Sequence, residues 1–192
     1  MVAKMTKLFE EALIFANRLH VEQYRKGTDV PYISHLLSVA ALVLEAGGDE
    51  ELAIAALLHD AVEDQGGLET LEEIRKRFGG RVAMIVEECS DSYSVPKPAW
   101  RNRKEEYINH LKSSSDDARL VSAADKLHNA RSILRDIFVS GDDVWSKFTG
   151  GKDGTLWYYR SLVCVFETLD QNFIVDELKR VVEQIENFVI LK

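Results

Sequence analysis

Ala56-Leu57-Leu58-His59-Asp60-Ala61-Val62-Glu63-Asp64 is the stretch on which the reading of this chain turns. The leucine pair belongs in a protein interior, yet four ionisable residues follow it within two turns. At helical spacing His59 and Glu63 are i, i+4, as are Asp60 and Asp64, so each pair shares a face and the two faces adjoin. An imidazole beside a carboxylate can ligate a divalent metal. Two further carboxylates one turn on can hold or deprotonate a water. A solvated acidic helix end would give the same letters. Ordinary residue frequencies, however, supply a His-Asp pair in about one chain in five of this size, and the pair followed by Glu-Asp one turn later in fewer than about one in a thousand. Acids also suit a helix N-terminus, and here they crowd the C-terminal end, where a cation is needed to offset them.

Outward from this stretch the pattern is helical almost throughout. Leu8, Ala12, Phe15, Ala16 and Leu19 predict a first helix over about 6–20. A second begins near Pro31, runs through Val39, Leu42 and Val43, and ends at Gly47-Gly48. Asp49 is the expected N-cap of a third, Glu50 to about Asp64, stopped by Gly66-Gly67. Thr70-Leu-Glu-Glu73 reads as a capping box for a short fourth helix closed by Gly79-Gly80. A fifth runs from about Arg81 to Ser90, Pro96 and Pro98 mark a loop, and Trp100–Leu111 is amphipathic. Asp116 or Asp117 is the expected cap of a long helix through Val121, Ala124, Leu127 and Leu134. Residues 140–154, with four glycines, read as an irregular insertion, and two helices over about 155–169 and 172–190 follow. No alternating strand pattern or hairpin signal competes. The expectation is an all-α, single-domain helical bundle over 1–192, its catalytic core about 5–135 and its C-terminal helices about 140–192.

Composition narrows the function. The chain of 192 residues carries 24 Lys and Arg against 32 Asp and Glu, a net charge of −8. That argues against a nucleic-acid partner, which calls for a basic surface, and means that any phosphate-bearing ligand must meet a local basic patch or a metal. No apolar run approaches the roughly 20 residues that span a bilayer, and no signal-peptide pattern opens the chain. The two cysteines, Cys89 and Cys164, form no CxxC or disulfide framework and fit a cytoplasmic location.

A metal site needs ligands beyond His59 and Asp60. His35, in Pro31-Tyr-Ile-Ser-His35, and Asp125, mid-helix in Ala123-Ala124-Asp125-Lys126-Leu127, are candidates. Taken alone, His35 reads as a structural histidine and Asp125 as one partner of a salt bridge, because a buried acid must be paired or metal-bound. Together, two histidines and two aspartates make a mixed N/O set suited to Mn²⁺, Fe²⁺ or Zn²⁺.

In type and order, His35, the His59-Asp60 doublet and Asp125 resemble the H…HD…D signature of HD-domain metal phosphohydrolases. Arg25-Lys-Gly27, Pro31-Tyr-Ile-Ser-His35, Ala56-Leu-Leu-His-Asp-Ala-Val-Glu-Asp64 and Ala124-Asp-Lys-Leu-His-Asn129 resemble, more narrowly, the hydrolase domain of RelA/SpoT proteins and above all the small stand-alone alarmone hydrolases. The resemblance covers about residues 5–135. It implies a Mn²⁺-dependent enzyme, another divalent metal being an alternative, that removes the 3′-pyrophosphate of guanosine 3′,5′-bis(diphosphate). It further implies His35, His59, Asp60 and Asp125 as metal ligands, and Glu63 and Asp64 as the groups that position and deprotonate water. Arg25 would stack on or clamp the base with Lys26 beside it, and Asn129 would hold the ribose. Another nucleotide phosphate as substrate, or a non-catalytic nucleotide sensor, are the alternative readings. A homodimer is compatible with the sequence, and no heptad decides it.

Two features stand outside that pattern. Ser90-Asp91 replaces the usual Thr-Asp. Gly141–Arg160, with Trp145, Phe148, Trp157, Tyr158 and Tyr159, reads as core first, or as a dimer surface or a lid. Lys97, Arg101 and Lys104 are further candidate cations, each equally readable as a solvated helix face. His20 and His110 read as structural, and His128, i+3 from Asp125, as a neighbour that supports a ligand.

Overall fold

The computed structural model describes residues 4–90, 98–169 and 172–190. Ten α-helices are found among them: α1 (Lys7–Leu19), α2 (Ile33–Glu45), α3 (Glu50–Leu58), α4 (Ala61–Asp64), α5 (Gly67–Phe78), α6 (Gly80–Cys89), α7 (Trp100–Leu111), α8 (Asp116–Ser140), α9 (Gly151–Phe166) and α10 (Phe173–Ile190). A 3₁₀ helix, Gly141–Lys147, joins α8 to α9. The only extended pairing among the described residues is one antiparallel bridge, Tyr24 to Pro31. The all-α expectation therefore holds, and Lys97 and Asp91 lie outside the described residues.

α3 is the centre of the molecule. Every residue from Leu52 to Leu58 is buried, and a helix apolar on all sides must be surrounded. α1, α2 and α6 pack around it, α8 crosses α2 and α6, and α10 lies along α8 with α9 beside it. The turn between α2 and α3 needs glycine at 48, where a Cβ would stand 2.7 Å from Val43 Cγ1 and 2.8 Å from its carbonyl oxygen.

Four local expectations are corrected. The third helix does not run unbroken to Asp64: it stops at Leu58, and α4 restarts it at Ala61. The His59 ring takes the carbonyl of Ala56, with Nδ1 2.8 Å from it, and that carbonyl would otherwise accept from the Asp60 amide in a continuing helix. Thr70 is not a cap. α5 begins at Gly67, after Gly66 at φ +118°, and the Thr70 hydroxyl donates to the Gln65 carbonyl at 2.6 Å. The N-cap of α8 is Ser115, whose Oγ accepts from the Ala118 amide, rather than either aspartate. The 140–154 insertion is mostly ordered, because α8 reaches Ser140 and the 3₁₀ helix follows directly.

Candidate metal centre and nucleotide cavity

Three segments bring the centre together. α2 supplies His35 near its first turn, the α3–α4 break supplies His59 and Asp60, and α8 supplies Asp125 from its middle. The break matters to this geometry: it turns His59 and Asp60 toward the same point. His35 Nε2 lies 3.2 Å from Asp125 Oδ1 and 3.6 Å from Asp60 Oδ2. His59 Nε2 lies 3.0 Å from Asp60 Oδ2 and 3.8 Å from Asp125 Oδ1. Ligand atoms of His35, His59 and Asp125 all fall within 4.8 Å of one another.

The residues fit a divalent cation. His35 Nε2 and His59 Nε2 are buried and make no well-aligned hydrogen bond, facing only the carboxylates of Asp60 and Asp125, although a buried polar atom is normally satisfied. Each ring is fixed from its other side. His59 Nδ1 is held by Ala56 O, and His35 Nδ1 lies 2.7 Å from His128 Nδ1. Burial first, then the neighbouring His35, lower the His128 pKa to about 4, so His128 is neutral and accepts from His35. With each Nδ1 held in this way, Nε2 of both rings faces the Asp60 and Asp125 carboxylates, and would turn its lone pair to a cation that displaced the proton shared there. Burial disfavours charge on Asp60 and Asp125, but the histidines, and Lys126 for Asp125, outweigh it and hold both carboxyls well below the usual range.

A second ring of contacts holds these groups. Tyr32 donates its hydroxyl to Asp60 Oδ2 at 2.6 Å. Asp125 accepts from Lys126 Nζ at 2.6 Å and from Asn129 Nδ2 at 2.5 Å. Asn129 in turn accepts from Arg25 Nη2 at 2.5 Å. Asp64, open at the rim, accepts from Gln23 Nε2 at 2.8 Å. Its pKa is raised, by desolvation first and by Asp60 next, against the hydrogen bond from Gln23. Glu63 faces Arg103 at 3.9 Å. Sequence reasoning passed over Tyr32, Gln23 and Lys126. Tyr32 and Lys126 sit inside the quoted motif strings, whereas Gln23 carries no local signal, because only the fold brings its loop to Asp64.

A cavity of about 390 Å³ opens beside the cluster. Arg25, Lys26, Lys104, Lys126, Arg135 and Lys147 line it, six cations on a chain whose net charge is −8. Arg25 and Lys26 sit in the turn closed by the Tyr24–Pro31 bridge, where Gly27 takes φ +71°. Of the aromatics in 141–160, Trp145, Tyr158 and Tyr159 are buried, and Tyr158, Tyr159 and Phe148 also face the cavity. Gly150 and Gly154 leave room for the Trp100 ring: a Cβ at either would lie 2.5 Å or 3.1 Å from it. Arg101 instead covers the Trp157 ring at 3.2 Å and pairs with Glu105.

A helical bundle that converges two histidines and two aspartates in this order defines an HD-domain protein, and residues 12–156 match the family model described as HD domain. The chain belongs to that family and, within it, to the MESH1 group. MESH1 of Xenopus tropicalis, named guanosine-3′,5′-bis(diphosphate) 3′-pyrophosphohydrolase, is 43% identical over 131 residues, which are 67% of this chain and 70% of the relative. The human protein of the same name is 40% identical over 128 residues, 65% of this chain and 69% of the relative. Among solved structures, a metazoan ortholog of SpoT described as hydrolysing ppGpp superposes with a TM-score of 0.78 at 30% identity, covering 95% of this chain and 97% of its own. A crystal structure of a Listeria monocytogenes EGD-e protein superposes with a TM-score of 0.69 at 33% identity, over 78% of this chain and 96% of its own.

Proposed function

We propose that this protein hydrolyses the 3′-pyrophosphate of guanosine 3′,5′-bis(diphosphate), releasing GDP, or GTP from the 5′-triphosphate form, and pyrophosphate. The observation that carries this reading is the buried His35–His59–Asp125 cluster, with the half-buried Asp60 against both histidines, beside a cation-lined cavity. The names of the MESH1 relatives support the substrate.

In this reading His35, His59, Asp60 and Asp125 hold a divalent ion, Mn²⁺ by resemblance. A bound divalent ion supplies positive charge that acidifies water and offsets charge building on the phosphoryl oxygens. Asp64 takes the proton from the attacking water, and a pKa raised from the ordinary aspartate value makes it a stronger base for that task. Glu63 orients that water. Lys126 and Lys104 line the cavity and meet the pyrophosphate. Arg25 and Lys26 take the base, and Asn129, now bonded to Arg25, turns to the ribose. We take the chain as a single catalytic unit, residues 5–135 carrying the site and the C-terminal helices closing the cavity. A cytoplasmic location accords with the free thiols of Cys89 and Cys164.

The test is metal-dependent turnover. Protein stripped with chelator and reloaded with Mn²⁺ is incubated with guanosine 3′,5′-bis(diphosphate), and the products are resolved by anion exchange. GDP and pyrophosphate are expected, and are lost in Asp60→Ala. Intact nucleotide with metal bound would overturn the reading.

A further inference from the structure

Asp125 and Asp136 both stand on α8, 11 residues apart. That separation is about 16 Å along the axis and only about 20° around it, so the two carboxylates share one face three turns apart. Asn129 and Ser132 fall on the same row, and with Asp136 they line the cavity. The cavity therefore runs along α8, from Lys126 and Asn129, which hydrogen-bond Asp125, to Asp136.

The far end is chemically distinct. Asp136 is the sole carboxylate among the described residues lining the cavity, against six cations. It is only partly buried, with side-chain exposure of 21%. Lys147 Nζ donates to its Oδ2 at 3.0 Å and Arg135 Nη2 to its Oδ1 at 3.2 Å. Burial raises its pKa, but those two hydrogen bonds outweigh that and keep it ionised. Lys147 and Arg135 offset the charge of Asp136, so this end is not anionic overall, but it holds the one carboxylate acceptor of the described lining, which suits a part of the ligand that offers hydrogen-bond donors. The Lys147 alkyl chain packs against the Gly27 turn, 3.5 Å from where a Cβ would sit, which closes this end of the cavity. Phe148, the next residue, adds an apolar ring to its wall.

We propose that Asp136 is a specificity-determining residue that reads the base: its carboxylate accepts from the N1–H and N2–H donors of guanine. A carboxylate offers two acceptors and no donor, which matches the guanine edge and mismatches adenine or xanthine. The row on α8 then acts as a ruler, with the reacting phosphoryl group at Asp125, the ribose near Asn129 and the base edge at Asp136. This inference rests on the proposed reading of the cavity as a guanosine nucleotide site.

The experiment compares guanosine and xanthosine 3′,5′-bis(diphosphate) as substrates for the wild-type chain, Asp136→Asn and Lys147→Met, with Mn²⁺ present. An Asn at 136 donates to the 2-oxo group of xanthine where aspartate cannot. The wild-type protein favours guanosine by about 10- to 100-fold in kcat/KM, as expected for a hydrogen bond to a charged group, and Asp136→Asn reverses the preference. Lys147→Met raises KM for both substrates and keeps the wild-type ratio. If Asp136→Asn retains the guanosine preference, or both substrates fall equally, Asp136 is only a clamp for Lys147 and the inference is overturned while the hydrolase reading stands. If the wild-type protein turns over neither substrate, the hydrolase reading falls. Calorimetric binding of GDP against XDP to the same variants then decides the role of Asp136, and equal binding of the two by the wild-type chain overturns it.

Discussion

Tyr32 donates its phenolic proton to Asp60 Oδ2 across 2.6 Å, while its ring stands edge-on to His35, 5.5 Å between centroids. One side chain thus braces two of the four candidate metal ligands. Groups that orient ligands in this way typically contribute 10- to 100-fold in metal affinity. Tyr32→Phe keeps the ring and removes the donor, so Mn²⁺ affinity is expected to fall by about that factor. Calorimetric titration of the chelator-stripped variant reads it, and wild-type affinity would show that the bond is idle.

The cluster itself predicts a stability linkage. An ion that binds the folded chain and not the unfolded one adds about 2.7 kcal/mol at a hundred times its dissociation constant. Added Mn²⁺ should therefore raise the melting temperature of the wild-type protein and leave His59→Ala and Asp125→Ala unmoved. An equal rise in the variants would place the ion elsewhere.

Asp64 sets a pH expectation. Its raised pKa means that it stays protonated to higher pH than an ordinary aspartate. Activity should fall as pH falls, along an acid limb displaced upward from that of an ordinary aspartate. Asp64→Asn should lower kcat by about 10²- to 10⁴-fold with little change in KM and abolish that limb. A pH profile that keeps its acid limb in Asp64→Asn would assign the base to another group.

Gly150 offers a steric test away from the chemistry. Its φ is −78°, so alanine fits the backbone, but the added Cβ would lie 2.5 Å from the Trp100 ring. Gly150→Ala should cost about 1–3 kcal/mol as overpacking. Adding Trp100→Phe should return part of it, which a double-mutant cycle in urea would measure. Equal costs in both backgrounds would break the link.

Asp49 caps α3 by accepting from the Leu52 amide at 2.9 Å, and it pairs with Arg81 at 2.6 Å. Asp49→Ala should cost about 1 kcal/mol. Burial raises the Asp49 pKa, yet the Leu52 amide and Arg81 outweigh it and lower it overall. Its contribution is therefore complete above the ordinary aspartate pKa and is lost as pH falls through the folded value. The stability gap between wild type and variant should close in acid, and a gap constant with pH would contradict the assignment.

Much of this was legible in short strings. The apolar spacing of Leu8, Ala12, Phe15 and Leu19 placed α1, and Asp49 was read as a cap because cap chemistry is local. His35, His59, Asp60 and Asp125 stand out as candidates from residue type and order alone. Thr70 and Asp116 misled for one reason: a capping pattern says which residue can cap, and the neighbouring glycine and serine competed for the position.

By itself the sequence determined the all-α class, the net negative charge and which residues stand as candidates for the cluster, because each depends on side-chain type within one or two turns. Only the tertiary structure decided which of those residues meet. The break after Leu58, the reach of Gln23 to Asp64, the support of His35 by His128 and the alignment of the cavity with the Asp125–Asp136 face of α8 all join segments distant in the chain. Such contacts arise from packing around the buried α3, and packing is a property of the whole molecule that no local window of sequence contains.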